Sequence, residues 1–133
     1  MTRSILIAAA LLLDGNGRTL LVRKRGTAFF MQPGGKIEPG EHPIQALARE
    51  LNEELGIEIA PAQAAYLGTY TAPAANEPGF EVRCELFEVT VQTPVKPAAE
   101  IEEAVWVDLQ QAQSLNLAPL TRDSVLPRLF KPA

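Results

Sequence analysis

The chain has 133 residues, which is expected to make one ordinary domain over 1–133 with no second compact unit beside it. A formal net charge of -4 argues against a general nucleic-acid surface, and 47% apolar residues argue against disorder. The single cysteine, Cys84, excludes an intramolecular disulfide and suits a reducing cytoplasm, so it reads as an ordinary strand residue.

Ile5 to Leu13 is an apolar run too short to span a membrane, and it stops at Asp14-Gly15-Asn16-Gly17 without a small-residue cleavage site. It reads as a central strand, forming a hairpin with a second strand from Thr19 to Arg25. Phe29 to Gln32 is a short apolar stretch. Pro33-Gly34-Gly35 is expected to leave regular structure, because proline lacks a donor and paired glycines admit positive φ. The period then changes. Ile44, Leu47, Ala48, Leu51 and Leu55 recur at helical spacing, Pro43 suits the first helical position, and Gly56 suits the C-terminal cap, so a helix is expected over Pro43 to Leu55.

Strands are expected at Tyr66–Thr71, at Phe80–Gln92, where a free edge could pair with a second copy, and at Ala104–Asp108 around Trp106. Loops separate them at Ala72–Gly79 and Thr93–Ala99. Leu109–Leu115 looks helical, and Arg122–Phe130 makes a weaker helix interrupted by Pro127.

The polar side of the first helix carries the chemistry. Glu50 and Glu54 stand one turn apart with Glu53 beside them, a spacing at which like charges repel and weaken a helix. Such an oxygen-rich cluster is what a hard divalent cation binds. A solvated acidic face is the bland explanation. Against it, the preceding loop adds Gly34-Gly35, which lets backbone approach an anion or metal closely, and Glu41, which can reach the helix acids.

Gly35, five residues, Glu41, seven residues, then Arg49-Glu50-Leu51-Asn52-Glu53-Glu54-Leu55-Gly56-Ile57 matches the Nudix box at every defined position. The chain therefore resembles the Nudix hydrolases. The resemblance implies the Nudix fold, an α+β or α/β arrangement with a mixed β-sheet sandwiched between α-helices. It implies Mg²⁺ as cofactor, with Mn²⁺ as a substitute, and Glu50, Glu53, Glu54 and the carbonyl of Gly35 as metal ligands. Arg49 would hold the carboxylates in place, Glu41 would support the loop, and the catalytic base would be one of the box glutamates or a carboxylate outside the box. Leu51, Gly56 and Ile57 would be structural.

Outside the box, Glu102 and Glu103 are the preferred acids to approach the metal site, ahead of Glu100. Of the basic run Arg23-Lys24-Arg25, alternation sends Arg23 and Arg25 to one face and Lys24 to the other, and Arg23 is preferred as the substrate contact. Lys36 follows the glycines and could meet phosphate. Phe29, Phe30, Tyr70 and Phe80 could stack on a base but read more simply as packing. Trp106 reads as core. His42, the only histidine, reads as a helix-start residue.

Met31 to Glu38 resembles the small mutator-type 8-oxo-dGTP pyrophosphatases, which read the oxidised purine with an asparagine in the last helix. Here the Val125–Leu129 pattern puts Arg122 at that place, with Asn116 only nearby. The expected activity is hydrolysis of a phosphoanhydride in a nucleoside-diphosphate-linked small molecule, foremost a nucleoside triphosphate cut to monophosphate and pyrophosphate. An ADP-ribose or other nucleotide-sugar pyrophosphatase is the second reading, and a non-catalytic Nudix-fold binding module the third. No nucleic-acid or membrane partner is expected, and the chain would be a monomer or homodimer.

Overall fold

The computed structural model describes residues 3–128 and 130. Strand β1 (Arg3–Leu13) is the middle of a mixed sheet, running parallel to β6 (Phe80–Thr90) through eleven Cα pairs from Arg3↔Phe80 to Leu13↔Thr90. β5 (Ala64–Pro73) pairs antiparallel with β6 and forms that edge, so the long strand read from Phe80 is interior and its free-edge reading is corrected. On the other side stand β2 (Thr19–Lys24), β3 (Phe30–Met31) and β7 (Ile101–Val107).

Two expectations change here. The β1–β2 hairpin touches only at Leu13↔Thr19, because β2 pairs instead along its length with β7, from Thr19↔Val107 onward. The glycine segment does not leave regular structure: β4 (Gly34–Lys36) pairs antiparallel with β1 at Ala9↔Gly34, Ala8↔Gly35 and Ile7↔Lys36. Paired glycines present no side chain, so β1 backbone can lie directly against them.

The alternation of β1 explains the layering. Ala8, Ala10 and Leu12 face helix α1 (Pro43–Leu55) and bury with its Ala46, Leu47, Leu51 and Leu55. Ala9 and Leu11 face the opposite way, into a second core with Val125, Leu126 and Phe130 of the closing segment. Each fully buried leucine contributes about 1.5–3 kcal/mol, which is why two apolar faces on one strand specify a three-layer arrangement.

Helix α1 begins and ends as the sequence implies. Pro43 opens it, Gln45 Oε1 accepts the His42 backbone N–H at 2.8 Å, and Gly56 caps it in the left-handed region at φ 68°. Its last carbonyls are satisfied from outside the helix: Lys96 N–H donates to Leu55 O and Ala98 N–H to Glu54 O, both at 2.9 Å. That docks the loop before β7 onto the acidic end of α1. A short helix α2 (Leu109–Ala112) follows, capped reciprocally by Asp108 and Gln111. The closing segment contains a π-turn over Thr121–Val125 and a last turn, α3 (Leu126–Arg128), where Leu129 of the sequence pattern lies outside the described residues. Trp106 is half-buried against the α1-side core, and Cys84 is fully buried on β6. Among the described residues, no helix is long and apolar enough to cross a membrane.

Candidate active site

Arg49 organises the polar side of α1. It donates from Nε and Nη2 to the two carboxylate oxygens of Glu41, both at 2.9 Å, from Nη1 to Glu50 Oε1 at 2.7 Å, and from Nη2 to the Lys36 carbonyl at 3.1 Å. The fork of the guanidinium thus joins the loop, the glycine strand and the helix through one side chain. The Arg49 hydrogen bonds hold the Glu41 carboxyl down at about 2, so it is ionised at any working pH. Arg49→Lys is expected to lose the fork: a point charge cannot satisfy Glu41, Glu50 and the Lys36 carbonyl together. kcat should fall about 10- to 100-fold, and steady-state kinetics with a melting curve would check it. Unchanged kcat would reduce Arg49 to an ordinary surface cation.

Glu50 packs directly on the glycine strand. A Cβ added at Gly35 would fall inside the Glu50 carboxylate. Glu54, one turn on, is only 2% exposed, and neither carboxylate oxygen has a hydrogen-bond partner among the described residues. Lys24 Nζ is 4.0 Å from its Oε2. Burial pushes Glu54 up to about 7; Lys24 opposes the shift, as does the nearby Gly34 backbone N–H, which does not reach hydrogen-bond geometry, while Glu50 and Glu100 add to it. Glu53 is half exposed and turned towards Arg49, 3.8 Å from Nη1. Among the described residues no three acid, histidine or cysteine side chains already converge on one point. The donor set nonetheless fits a hard cation: buried carboxylate oxygens without partners, a second carboxylate one turn away, and a glycine strand with no Cβ in between.

Of the three helix glutamates, Glu50 lines a cleft of about 470 Å³, and Glu53 and Glu54 do not. Its walls include Ile7 and Ala9 of β1, Val82 of β6, the loop from Ala74 to Glu77, and Leu120 and Thr121 of the closing segment. Gly34, Gly35, Lys36 and Glu50 stand on its border.

Lys36 lines the cleft. Two other choices are corrected. Lys24 lines the cleft, and Arg23 does not: Arg23 donates to Glu103 Oε1 from Nε at 2.9 Å and from Nη2 at 2.6 Å, and to the Thr27 carbonyl from Nη1 at 2.9 Å. The parity of β2 contains the reason. Leu20 and Val22 face α1, so Lys24 shares their side, where Glu54 sits, whereas Arg23 follows Leu21. Likewise Glu100 lines the cleft, while Glu103 is engaged with Arg23, its cross-strand partner between β2 and β7, and Glu102 with Arg25, just past the end of β2, at 3.5 Å. Phe30 is buried in the core, and none of Phe29, Tyr70 and Phe80 lines the cleft. Arg122 is exposed and paired with Asp123, and Asn116 donates to the Ala28 carbonyl at 3.0 Å. What the sequence reading passed over is a buried pair at the cleft, Gln32 and Thr121. The only available signal was a polar residue inside the apolar stretch before Pro33.

A mixed sheet between helices, with an arginine-braced acidic helix end on a side-chain-free strand, defines an α+β protein of the Nudix class. A model of the NUDIX domain matches residues 4–129. The chain is 32% identical over 115 residues to the CTP pyrophosphohydrolase of Escherichia coli K12, a match covering 83% of this chain and 81% of that one. It is 26% identical over 107 residues to the ADP-ribose pyrophosphatase of Methanocaldococcus jannaschii, covering 78% of this chain and 62% of that one. Among solved structures, the MutT protein of Methanosarcina mazei Go1 aligns with a TM-score of 0.78 at 26% identity, covering 96% of this chain and 93% of that one. The chain belongs to the Nudix family and is a Nudix hydrolase, an enzyme of the pyrophosphohydrolase type.

Proposed function

We propose that this enzyme uses Mg²⁺, with Mn²⁺ as a substitute, to hydrolyse a nucleoside triphosphate to monophosphate and pyrophosphate. The observation that carries the reading is the Glu54 carboxylate, buried and without a hydrogen-bond partner beside Glu50 and the glycine strand. An isolated buried carboxylate is costly unless a cation or donor completes it. Glu50, Glu53, Glu54 and the Gly35 carbonyl would hold the metal. When bound, it would screen the diphosphate, activate water and stabilise the leaving phosphate.

The chain's own residues do the rest. Arg49 fixes the Glu50 carboxylate and ties the loop to the helix through Glu41. Lys24 and Lys36 bring two positive charges to the cleft, where a polyphosphate would lie. The apolar wall of Ile7, Ala9, Val82 and Leu120 leaves room for a flat base. Similarity to the E. coli CTP enzyme over most of both chains supports the triphosphate reading. Similarity to the M. jannaschii ADP-ribose enzyme supports an X-linked diphosphate as the second reading, though the match spans under two thirds of that protein. Retention of Glu41, Glu50, Glu53 and Glu54 argues against a non-catalytic module. A small-molecule nucleotide as partner and the cytoplasm as location complete the reading.

The test is turnover with Mg²⁺ of a panel of normal and oxidised triphosphates, ADP-ribose, NADH and dinucleoside polyphosphates, with products identified chromatographically. Monophosphate plus pyrophosphate from one triphosphate is the expected result. Cleavage confined to ADP-ribose or another X-linked diphosphate would move the assignment to the second reading, and no turnover at all would overturn both. Lys24→Ala is expected to lower kcat/KM about tenfold or more, while Arg23→Ala changes it less than about threefold, because only Lys24 faces the acids and the cleft. The reverse order in kinetics would return the phosphate contact to Arg23.

A further inference from the structure

Gln32 is 5% exposed and borders the cleft, yet its Nε2 has no hydrogen-bond partner among the described residues. Its other end is fixed. Thr121 Oγ1, itself fully buried, lies 2.8 Å from Gln32 Oε1, and this is the only hydrogen bond of that hydroxyl among the described residues. The threonine proton therefore needs the amide oxygen as its acceptor. That sets the orientation of the amide and leaves its NH₂ as a buried donor without a partner, on a residue that borders the cleft. Two elements distant in the chain, the strand end before Pro33 and the π-turn of the closing segment, meet to present this one group. A buried donor without a partner is costly, and its neighbours on the cleft wall, Ile7, Ala9 and Leu120 among them, offer it none.

We propose that Gln32 is a specificity-determining residue: its Nε2 donates a hydrogen bond to an acceptor on the base of the substrate, a ring carbonyl oxygen or an unprotonated ring nitrogen, and Thr121 positions it. This rests on the nucleotide reading above. A fixed donor rewards a base edge that offers an acceptor and leaves a base that turns only donors towards it with clashing hydrogens. Specificity in this chain then comes from the segment leading into the glycine strand, while Asn116 and Arg122 are engaged elsewhere.

The test is a nitrogen-15 titration of the wild-type protein, free of divalent cation, with CMP, UMP, GMP and AMP, and with ribose 5-phosphate as the base-less control. The Gln32 side-chain NH₂ signal is assigned by its loss in Gln32→Leu and, independently, in Gln32→Glu. A shift of that signal with at least one nucleotide but not with ribose 5-phosphate is the expected result. In kinetics, Gln32→Leu should raise KM for the preferred triphosphate roughly tenfold with kcat little changed. KM for ribose 5-triphosphate should not move. Thr121→Val should give a smaller rise of the same kind, since it frees the amide to turn. A Gln32 signal unmoved by a nucleotide that demonstrably binds or turns over would overturn this inference alone, and a buried water would then be its partner. Absence of binding and turnover for every nucleotide would overturn the substrate reading as well.

Discussion

Glu54→Gln is expected to abolish turnover, by at least about a hundredfold, and at the same time to stabilise the metal-free protein. The two effects have one cause. The carboxylate is buried without hydrogen-bond partners, and Lys24 at 4.0 Å only partly offsets the burial. Its folded-state pKa of about 7 lies above the ordinary value of 4.5. Below about pH 4.5 the group is protonated in both states. Between 4.5 and 7 the folded protein holds a proton that the unfolded chain has released, so stability falls as pH rises through this window. Above 7 the full penalty, on the order of a few kcal/mol, is present. Glutamine lacks this slope. Denaturant unfolding in chelator at pH 5 and pH 8 should therefore show the wild type losing stability relative to Glu54→Gln, and Mg²⁺ should restore the wild type but not the variant. Parallel pH slopes in the two proteins would sink the argument. So would a variant that keeps full activity.

The adjacent glycines are expected to fail in opposite ways. At Gly34 the backbone has φ 149°, and an added Cβ would overlap the Ala8 carbonyl oxygen and Ala9 Cα of β1, both main-chain atoms. Backbone in the middle of the sheet cannot move aside, so Gly34→Ala should cost about 3 kcal/mol or more and yield little folded protein. At Gly35 the obstacle is the Glu50 side chain, which can rotate away. Gly35→Ala should fold and melt within a few degrees of the wild type, yet lose turnover by about a hundredfold because Glu50 is displaced. Melting curves and kcat for the pair discriminate the two mechanisms. Full activity in Gly35→Ala would show that the Glu50 position does not matter.

Much of the fold was legible because its signals are local. The helical period of Leu47, Leu51 and Leu55, Pro43 at the start and Gly56 at the end need no knowledge of the rest of the chain, and α1 has these bounds in the structure. The box spacing likewise puts Glu41, Arg49 and Glu50 within reach of one another, since a helix and the loop leading into it form one continuous unit. Cys84 as a strand residue followed from its neighbours, and packing buries it.

What tertiary structure decided were the pairings between distant segments. Strand register has a period of two, so the choice between Arg23 and Lys24 depends on which face of β2 meets α1, and that is set by packing with a helix some twenty residues further on. Glu102 and Glu103 were preferred to Glu100 until β7 paired with β2, which set Glu103 opposite Arg23 and left Glu102 beside Arg25 just past the strand end. The glycine segment, read as irregular, became a strand only because β1 supplied a partner backbone close enough to exclude any side chain. The meeting of Gln32 with Thr121, eighty-nine positions apart, left no trace in either local sequence. Helix propensity and catalytic spacing are properties of neighbouring residues. Strand partners, face choice and the closing of a cleft depend on which distant surfaces bury together, and that is determined only when the whole chain packs.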